Sequence, residues 1–484
     1  MPFSVLKNAM IDPAKLKNLK NVLKKYGQAH LLAFWDRLDG ASREKLFDQI
    51  NQLDFARINR WKTDFVLNCA PFKLPADIAA APSYPPKPVD TAQRQKYEAA
   101  RRHGVNLISQ GKVAAFVVAG GQGTRLGFDG PKGDFPISPV KNKTLFQIFA
   151  EIILAASQKY HATSPWYIMT SPLNHEQTLK IFDANNYYGL NKNNVFIFRQ
   201  GTFPNFSLDG KILLSGLDTI ATSPDGHGGA LRALYNSGAL ADMKKRGIEF
   251  ISYWQVDNPL VNIFDPLFIG LHAIDKAEMS SKTLAKTGPF EKLGNFCMSD
   301  GKVAVIEYSD LPNELAEKKN PDGSLVFELG SIAIHVISVD FAERFNNHGF
   351  SLPLHRAVKK IPYIDEKGNL IQPAQPNGVK LETFIFDALP LCEKSIILQT
   401  IRSEEFAPAK NAAGVDSAET TRQMMIDRAA AWLESAGIKV PRKPDGSPNC
   451  IIEIAPGFTL SKDDVIAKRD KIPPIKPGDK IYLG

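Results

Sequence analysis

The chain has 484 residues, of which 44% are hydrophobic and 23% are charged. This composition is typical of a soluble globular protein, and the length favours at least two domains of roughly 100 to 200 residues each. Lysine and arginine exceed aspartate and glutamate by 59 to 51, a net charge of +8 that suits an anionic substrate without requiring one.

The same sequence disfavours several other classes of protein. No apolar run approaches the roughly 18 residues of a membrane span, and the N-terminus does not have the pattern of a signal peptide, so we expect a cytoplasmic protein with no membrane partner. The four cysteines lie far apart without a nearby histidine at ligand spacing, which argues against a disulfide framework or a zinc site. No aromatic-rich basic stripe accompanies the positive charge, so we expect no nucleic-acid partner.

The first part of the chain has the periodicity of helices. Apolar residues recur three and four apart from about residue 13 to about residue 70, which predicts a helical N-terminal region. Four prolines in APSYPPKPVD, residues 81–90, then favour an extended, semi-rigid connector and a boundary near it.

The middle of the chain alternates between strands and helices. Its apolar runs are residues 113–119, 166–171, 195–200 and 248–256. Such alternation predicts a parallel sheet with crossover helices. Thr144 with Gln147, and Asn174 with Gln177, fit reciprocal caps at two helix starts. The strand-rich segment after about residue 279 is expected to form a lobe beside this sheet, and the segment after about residue 395 a small separate domain.

A glycine-rich segment follows the first of these apolar runs. It reads AGGQGTRLGFDGPKGDFP, residues 119–136, and we call it the glycine loop. Gly120, Gly121 and Gly123 lack the side chains that would keep the backbone from a phosphate, and we expect them to permit positive φ. Arg125 and Lys132 add positive charge, so the loop predicts a polyphosphate site.

Two other phosphate-binding loops fit this segment poorly. A dinucleotide-binding loop has the spacing G-x-G-x-x-G at the start of a helix, whereas the glycines here are spaced G-x-G-x-x-x-G and a proline soon follows. A P-loop continues from its last glycine into Lys and Ser or Thr, whereas Lys132 lies between Pro131 and Gly133. A flexible loop without a ligand would not require so many constrained residue types together.

The sequence GGQGTRLG followed by PKG resembles the signature of the UDP-sugar pyrophosphorylases, a family of sugar nucleotidyltransferases. Further matches follow in the order of that family, and these are SPDGHGGALRAL, QVDNPL, VIEYSDL, NGVKLETFIFD and FAPAKNA. The resemblance is greatest to the UDP-N-acetylglucosamine branch. It implies a reaction in which UTP and a sugar 1-phosphate form a UDP-sugar and pyrophosphate.

The resemblance also implies an α/β fold, a Rossmann-like nucleotidyltransferase with a mixed sheet. The expected division has a helical region with its linker, a catalytic domain and a small C-terminal domain, which are residues 1–95, 96–394 and 395–484. The expected partners are UTP and the sugar 1-phosphate, and the protein is expected to be a monomer or a weak dimer.

Roles at the phosphates are carried over from the family. The resemblance implies that the catalytic residues are Arg125, Lys132 and Lys410, and that the nucleotide-binding residues are Gly120, Gly121, Gly123, Thr124, Thr170, Gln200 and Gly226. Asp257 ends an apolar run and is expected beside the phosphates, where it can hold Mg²⁺ as the cofactor; a helix cap is the alternative. In-line attack by the sugar phosphate on the α-phosphate requires no protein nucleophile.

Roles at the sugar are implied in the same way. The expected substrate-binding residues are His227, Asp257, Glu307, Ser331, Phe384 and Phe386. Glu307 resembles the acceptor for sugar hydroxyls. Phe384 and Phe386, two apart, are expected on one face of a strand as an apolar wall near the sugar, with core packing as the alternative.

Two of these positions depart from the UDP-N-acetylglucosamine branch, which usually has asparagine at both. His227 gives GHGG, which is typical of UDP-glucose and broad UDP-sugar pyrophosphorylases, and Ser331 also lacks the amide. Losing a paired donor and acceptor weakens recognition of an acetamido group. Other stretches, including QVDNPL, favour N-acetylglucosamine 1-phosphate. Glucose 1-phosphate or a mixed hexose preference is the alternative, and a non-catalytic UDP-sugar sensor is a remote one.

Overall fold

A computed structural model describes residues 11–68, 72–347 and 352–484 of the chain. The first ten residues and Cys69, which entered the expectations on the N-terminus and the cysteines, lie outside this part. None of the helices within it is long and apolar enough to cross a membrane. The chain divides into two compact units. The first takes its residues from Met1–Lys73, Gly201–Gly229 and Leu352–Phe384, and the second from Leu74–Gln200, Ala230–Ser351 and Ile385–Gly484.

The first unit contains the predicted N-terminal helices. They are Pro13–Lys25, Gly40–Asn51 and Phe55–Trp61, followed by a π-helical turn at Lys62–Leu67. Each α-helix begins after an aspartate, namely Asp12, Asp39 or Asp54, whose carboxylate accepts a hydrogen bond from a backbone amide of the first turn. The helices bury leucines such as Leu23 and Leu46 against later strands of the same unit.

Those strands are short. They are Thr202–Pro204, Phe206–Ser207, Leu214–Gly216, Thr219–Ile220, Thr222–Pro224, His355–Lys359, Tyr363–Ile364, Leu370–Ile371 and Gly378–Glu382. Phe206 and Val379 pair across two of them and are both completely buried. The first unit therefore combines segments that are distant in sequence, a grouping that the linear three-part division did not anticipate.

The second unit is built on a ten-stranded sheet. Four of its strands are parallel neighbours and lie in the order Phe250–Gln255, Val113–Val118, Trp166–Thr170 and Val195–Arg199. Residues 113–118 are buried along their whole length, as expected for a strand covered on both faces. The parallel arrangement predicted for these four strands is confirmed.

The sheet also includes strands that were expected to form a lobe beside it, and that expectation was wrong. Leu329–Ser338 pairs antiparallel with both Phe250–Gln255 and Met279–Ala285, which makes the sheet mixed. The other members are Ala79–Ala80, Asn295–Ser299, Lys302–Ile306 and Ser395–Gln399. A hydrophobic pattern predicts a strand but not its pairing partner, so this continuity could not be seen in the sequence. The expected boundary at 395 coincides with the first residue of a strand in this sheet.

Helices cover the sheet and extend beyond it. They are Thr91–Ser109, Leu145–Tyr160, His175–Ala184, Ala230–Asn236, Ala239–Lys245, Pro266–Ile274, Asn313–Ala316, Val339–Asn347, Arg402–Glu405, Ala418–Ser435 and Lys462–Ala467. Ala418–Ser435 packs its buried Leu433 with Ile452 and Val465 in a small core of its own, beside the parallel strands Ile451–Ile454 and Lys480–Leu483. The three-part division stays a prediction.

The caps predicted at Thr144 and Asn174 have different outcomes. Thr144 accepts a hydrogen bond from the Gln147 amide at 3.2 Å, although the Gln147 side chain donates to Glu151 rather than back to the cap. Asn174 makes no capping bond to the helix that follows it. Its side chain instead donates hydrogen bonds to the backbone of the glycine loop.

Two glycines allow the helices Thr91–Ser109 and Pro266–Ile274 to touch at their backbones. A Cβ atom at Gly104 would overlap the carbonyl oxygen of Pro266, and one at Gly270 would overlap that of Ala100. Neither obstacle is the end of a flexible side chain, so both helices would have to move.

We predict that Gly270→Ala lowers the free energy of unfolding by about 1 to 3 kcal/mol, the usual cost of overpacking a closely packed interior. Urea unfolding followed by circular dichroism measures this value. Gly288→Ala is the matched control, because a Cβ at Gly288 meets nothing within 4 Å. Equal stability of the two variants would contradict the close backbone approach.

Candidate functional site

The glycine loop leaves the strand Val113–Val118 and closes on itself. The amide of Lys132 donates to the carbonyl of Gly121 at 3.0 Å, and the amide of Gly123 donates to that of Gly130 at 2.8 Å. The loop therefore returns to its own beginning, and its closure brings Lys132 beside Gly121, whose ideal Cβ position is 3.8 Å from Lys132 Cε.

The glycines of this loop serve different purposes, and the expectation of positive φ was wrong for the first three. Positive φ occurs later, for example at Gly127, where φ is 71°. A Cβ at Gly120 would overlap Gln200 Oε1, and one at Gly123 would come within 2.7 Å of the Phe128 ring. Gly121 is exposed and meets only Lys132, so it alone among the three presents open backbone beside a cation.

Lys132 and Asp257 approach one another at the ends of neighbouring elements. Lys132 Nζ lies 3.9 Å from Asp257 Oδ2, and each side chain is 15% exposed. Asp257 follows the strand Phe250–Gln255, which lies parallel to the strand before the glycine loop. The helix cap considered for Asp257 is supplied instead by Asp265, which caps Pro266–Ile274.

Lys410 is tied to the same place through the backbone. The amide of Ala409 donates to the Asp257 carbonyl at 2.9 Å, so the residue before Lys410 is bonded directly to Asp257. Lys410 Nζ lies 3.6 Å from Asp416 Oδ2, and its side chain is 36% exposed. The backbone of residue 410 is therefore held beside Asp257, and we call Gly121, Lys132, Asp257 and Lys410 the phosphate cluster.

The remaining nucleotide-site residues of the second unit fall into two sets. Thr124 and Arg125 are exposed on a 3₁₀ turn at Thr124–Leu126, and Arg125 forms no salt bridge within the described residues. Thr170 is completely buried, and its hydroxyl donates to the Phe198 carbonyl at 2.9 Å and contacts His175. Gln200 packs against Gly120. Thr170 thus supports a strand end and has no surface to offer a ligand in this conformation.

Asn174 braces the glycine loop, a role that the sequence did not indicate. Its side-chain amide donates to the carbonyls of Ala119 at 2.9 Å and Gly121 at 3.2 Å, while its oxygen accepts from the Ser171 amide at 2.8 Å. The side chain is fully buried. An asparagine three residues before a glutamine resembles a helix cap, and only the fold shows that a loop more than 50 residues earlier is its partner.

A second group of predicted residues surrounds Gly294. Its ideal Cβ position is 3.4 Å from Glu307 Oε1 and 3.8 Å from Ser331 Cβ, so these two side chains converge. The amide of Ser331 donates to the Gly294 carbonyl at 2.8 Å. Glu307 follows directly after the strand Lys302–Ile306 rather than lying within it.

A third group lies in the first unit. Gly226 has φ of 86°, and a Cβ there would meet the backbone of Thr383. His227 stacks on Phe384 with ring centroids 5.2 Å apart, and His355 stacks on Phe384 at 4.2 Å. Burial, and next the neighbouring charge of His355, lower the pKa of His227 to about 4. His227 is therefore neutral at physiological pH.

The expected placement of Phe384 and Phe386 on one strand was wrong. The strand Gly378–Glu382 ends before them, and a 3₁₀ helix at Ile385–Leu391 follows. Phe386 is 6% exposed in the interior of the second unit, whereas Phe384 is half-buried in the histidine stack of the first. His355 is the residue of this stack that the sequence missed, since nothing in its surroundings indicates a ring contact almost thirty residues away.

Comparison with known proteins identifies the same family as the sequence motifs. The model of the family described as UTP–glucose-1-phosphate uridylyltransferase matches residues 77–481. UDP-N-acetylhexosamine pyrophosphorylase-like protein 1 of Homo sapiens is 37% identical over 474 residues, which are 93% of this chain and 94% of the relative. UDP-N-acetylglucosamine pyrophosphorylase of Saccharomyces cerevisiae is 36% identical over 87% of this chain and 92% of the relative.

A solved structure is similar over the whole chain. It is the uridine diphosphate N-acetylglucosamine pyrophosphorylase of Trypanosoma brucei in complex with an inhibitor, with a TM-score of 0.79 and 25% identity. The alignment covers 100% of this chain and 99% of that one. The predicted α/β nucleotidyltransferase fold is confirmed.

We predict that Asn174→Asp weakens the binding of UTP roughly tenfold and lowers the melting temperature. The substitution removes two donors to the loop carbonyls, each worth about 1 kcal/mol, and places a carboxylate against them. Isothermal titration of UTP and a thermal melt measure the two effects. Asn185→Asp is the control, since this amide donates only to the Ile181 carbonyl at an exposed position near the end of the same helix. Equal UTP affinities in the two variants would contradict the brace.

Proposed function

The chain belongs to the UTP–glucose-1-phosphate uridylyltransferase family, and from that premise we propose that its sugar substrate is N-acetylglucosamine 1-phosphate. The family reaction transfers a uridylyl group from UTP to a sugar 1-phosphate. An oxygen of the sugar phosphate attacks the α-phosphorus, the bond from that phosphorus to the bridging oxygen breaks, and pyrophosphate leaves with the electron pair.

The observation that carries the proposal is the cluster of Gly121, Lys132, Asp257 and Lys410. It joins open backbone to two cations and a carboxylate at the carboxyl ends of parallel strands, where α/β sheets bind ligands. We propose that Lys132 neutralises the negative charge that develops on the triphosphate, and that Lys410 and the exposed Arg125 contribute further positive charge. Positioning and charge neutralisation of this kind supply most of the catalysis in phosphoryl transfer.

Asp257 fits a magnesium ion that arrives with the nucleotide. Mg²⁺ is commonly held by one or two carboxylates together with substrate phosphates. Within the described residues no group of three acidic, histidine or cysteine side chains could hold a metal without substrate, whereas Asp257 is a partly exposed carboxylate beside the glycine loop. Asp257 would hold the ion, which would neutralise phosphate charge when bound. The Lys132 ammonium 3.9 Å away balances the same carboxylate.

The state of His227 supports an acetamido sugar. A neutral imidazole, like an asparagine amide, is an uncharged polar group with one donor and one acceptor, so it does not place a charge beside an acetamido group. The pKa of about 4 keeps His227 in this form, and the stack on Phe384 fixes the plane of the ring. His227 can therefore replace the asparagine found at this position in the UDP-N-acetylglucosamine branch. The relatives named for N-acetylglucosamine or N-acetylhexosamine support the same choice.

A glucose 1-phosphate activity is the second candidate, and Ser331 favours it. The serine hydroxyl is shorter than the asparagine amide and offers less to an acetyl group. Because Ser331 converges with Glu307 beside Gly294, its surroundings would suit sugar hydroxyls.

A cytoplasmic location also remains a prediction.

The sugar is tested by pyrophosphate release from UTP and Mg²⁺ with each of three sugar 1-phosphates, those of N-acetylglucosamine, glucose and galactose. We expect kcat/KM for N-acetylglucosamine 1-phosphate to exceed that for glucose 1-phosphate by at least about tenfold, which corresponds to one satisfied polar group. The preference should persist from about pH 6 to about pH 8, because His227 stays neutral there.

Two variants show whether His227 carries that preference. His227→Leu removes the donor and the acceptor and is expected to reduce the preference to near unity, while His103→Leu, at an exposed helical position, leaves it intact. An unchanged preference in His227→Leu would assign selectivity elsewhere, and faster turnover of glucose 1-phosphate by the native protein would overturn the proposed sugar.

We predict that Lys132→Met lowers kcat about 100-fold to 1,000-fold, the usual effect of removing one group that stabilises transition-state charge. The fold is expected to persist, because the bond from residue 132 to Gly121 is made by the backbone. Lys180→Met, at an exposed position, is the control and should retain full activity. Activity of Lys132→Met within about threefold of the native value would exclude Lys132 from this role.

A further inference from the structure

The second unit contains a cavity of about 450 Å³ apart from the cluster around Lys132. Its walls come from the helix Ala418–Ser435, the segment 259–262, the strand Ile451–Ile454 and the loop 456–463. Gly121, Lys132, Asp257 and Lys410 do not line it. Its volume lies within the range of roughly 300 to 1,000 Å³ that is usual for sites of small molecules.

The cavity wall has an extensive apolar part beside its polar and charged residues. The residues that form it include Ile148, Ile152, Leu260, Met425, Ile452 and Ile454. Trp432 adds an indole ring, and its Nε1 donates to Glu404 Oε2 at 2.7 Å, so the polar atom of the ring is already satisfied. A ligand in this cavity therefore needs an apolar body.

Four cationic residues line the cavity, namely Arg101, Lys143, Arg428 and Lys462, and Arg428 is the half-buried one. Arg428 Nη1 donates to the backbone carbonyls of Leu260 at 2.9 Å and Glu404 at 3.0 Å, whereas its Nε and Nη2 make no hydrogen bond within the described residues. Its guanidinium carbon lies 5.0 Å from the Trp432 ring centroid. Burial lowers the pKa of Arg428 to about 10, and the nearby carboxylates of Glu404 and Glu405 oppose this shift.

The acidic residues of the wall are largely occupied. Glu405 forms a buried ion pair with Lys282. Glu453 accepts hydrogen bonds from the amides of Val140 and Lys141, both at 2.8 Å. Asp463 is exposed in the first turn of the helix Lys462–Ala467. The unused donors of Arg428 thus match an anion, and the planar fork of a guanidinium suits a carboxylate.

The cavity wall is also hydrogen-bonded to the chain segments that contain Asp257 and Lys410. Asn258 follows Asp257, and its side chain donates to the Glu405 carbonyl at 2.8 Å and accepts from the Ala407 amide at 3.0 Å. Arg428 then holds Leu260 and Glu404, which lie a few residues beyond in the same two segments. Movement of the cavity wall would therefore reach Asp257 and Lys410 through bonded backbone.

We propose that this cavity is an effector site for a small molecule with an apolar body and one carboxylate, which pairs with the free donors of Arg428. The occupant acts by favouring one arrangement of the segments that carry Asp257 and Lys410. Such coupling is reciprocal, so the occupant and UTP change each other's affinity by the same factor. The proposal does not depend on the identity of the sugar.

The test uses 4-phenylbutyrate as the carboxylate probe and 4-phenylbutanamide as its neutral counterpart, titrated into the full chain by isothermal calorimetry. We expect the carboxylate to bind at least about tenfold more tightly than the amide. Arg428→Met should reduce carboxylate binding by a similar factor. Arg422→Met is the matched control, because Arg422 lies on the same helix and donates to the Pro136 carbonyl at 2.8 Å but does not line the cavity.

Arg428→Met also removes two bonds to backbone carbonyls and could unfold this region. Met425→Trp therefore provides a second variant, which fills the cavity and leaves those bonds in place; it should abolish binding of the carboxylate. UTP affinity, measured with the probe absent and then saturating, should differ at least about threefold in the native chain and not in Met425→Trp.

Absence of binding to the native chain, or equal binding by the native chain and Met425→Trp, would overturn the site. Binding that leaves the affinity for UTP unchanged would overturn the effector role. Since these titrations involve no sugar phosphate, their failure is distinct from failure of the proposed sugar preference.

Discussion

The amide of Lys132 donates to the carbonyl of Gly121, and this bond closes the glycine loop so that a lysine returns to the point where the loop began. The side-chain amide of Asn174 also donates to this carbonyl and to that of Ala119. With these hydrogen bonds in place, the backbone at Gly121 is exposed beside Lys132, whose ammonium nitrogen lies 3.9 Å from Asp257 Oδ2. A loop with the same composition but without these bonds would lose more conformational entropy on binding a triphosphate than this braced loop does.

The sheet supplies the second half of this arrangement. Parallel strands end at one edge, so the glycine loop, Asp257 and Gln200 all follow strands at the same edge of the sheet although they are far apart in the chain. The backbone carbonyl of Asp257 accepts a hydrogen bond from the amide of Ala409, the residue before Lys410. The site therefore depends on strand order first and on individual side chains second, which is why a mixed sheet of ten strands is part of the explanation of the chemistry.

The sequence predicted the central strands, the glycine loop and the family, because each depends on local pattern or on a motif. It did not predict contacts made across the fold. Asn174 has the surroundings of a helix cap, and only its position beside Gly121 shows that it braces a loop. The stack of His355 on Phe384 is equally remote in sequence. Strand pairing is a property of this kind, so the expected lobe proved to be part of the main sheet.

The sequence singled out individual residues but did not indicate their ionisation state or their hydrogen-bond partners. His227 was recognised as a departure that could weaken an acetamido site. Its low pKa, which follows from burial and from His355, shows that the imidazole has a donor and an acceptor as the asparagine amide does. Thr170 shows the opposite case, since its hydroxyl is consumed inside the protein. Burial and hydrogen-bond partners decide the ionisation state and the availability of a side chain, and neither is visible in a single sequence.

The central claim is that Lys132 and Lys410 act as cations around a directly transferred uridylyl group and that no side chain of the protein forms a bond to phosphorus. Exchange of labelled pyrophosphate into UTP, with and without a sugar 1-phosphate, tests this claim most directly. Direct transfer predicts that label enters UTP only when the sugar 1-phosphate is present, because UTP must be re-formed from the UDP-sugar. Exchange in its absence would show a covalent uridylyl-protein intermediate and would contradict the account.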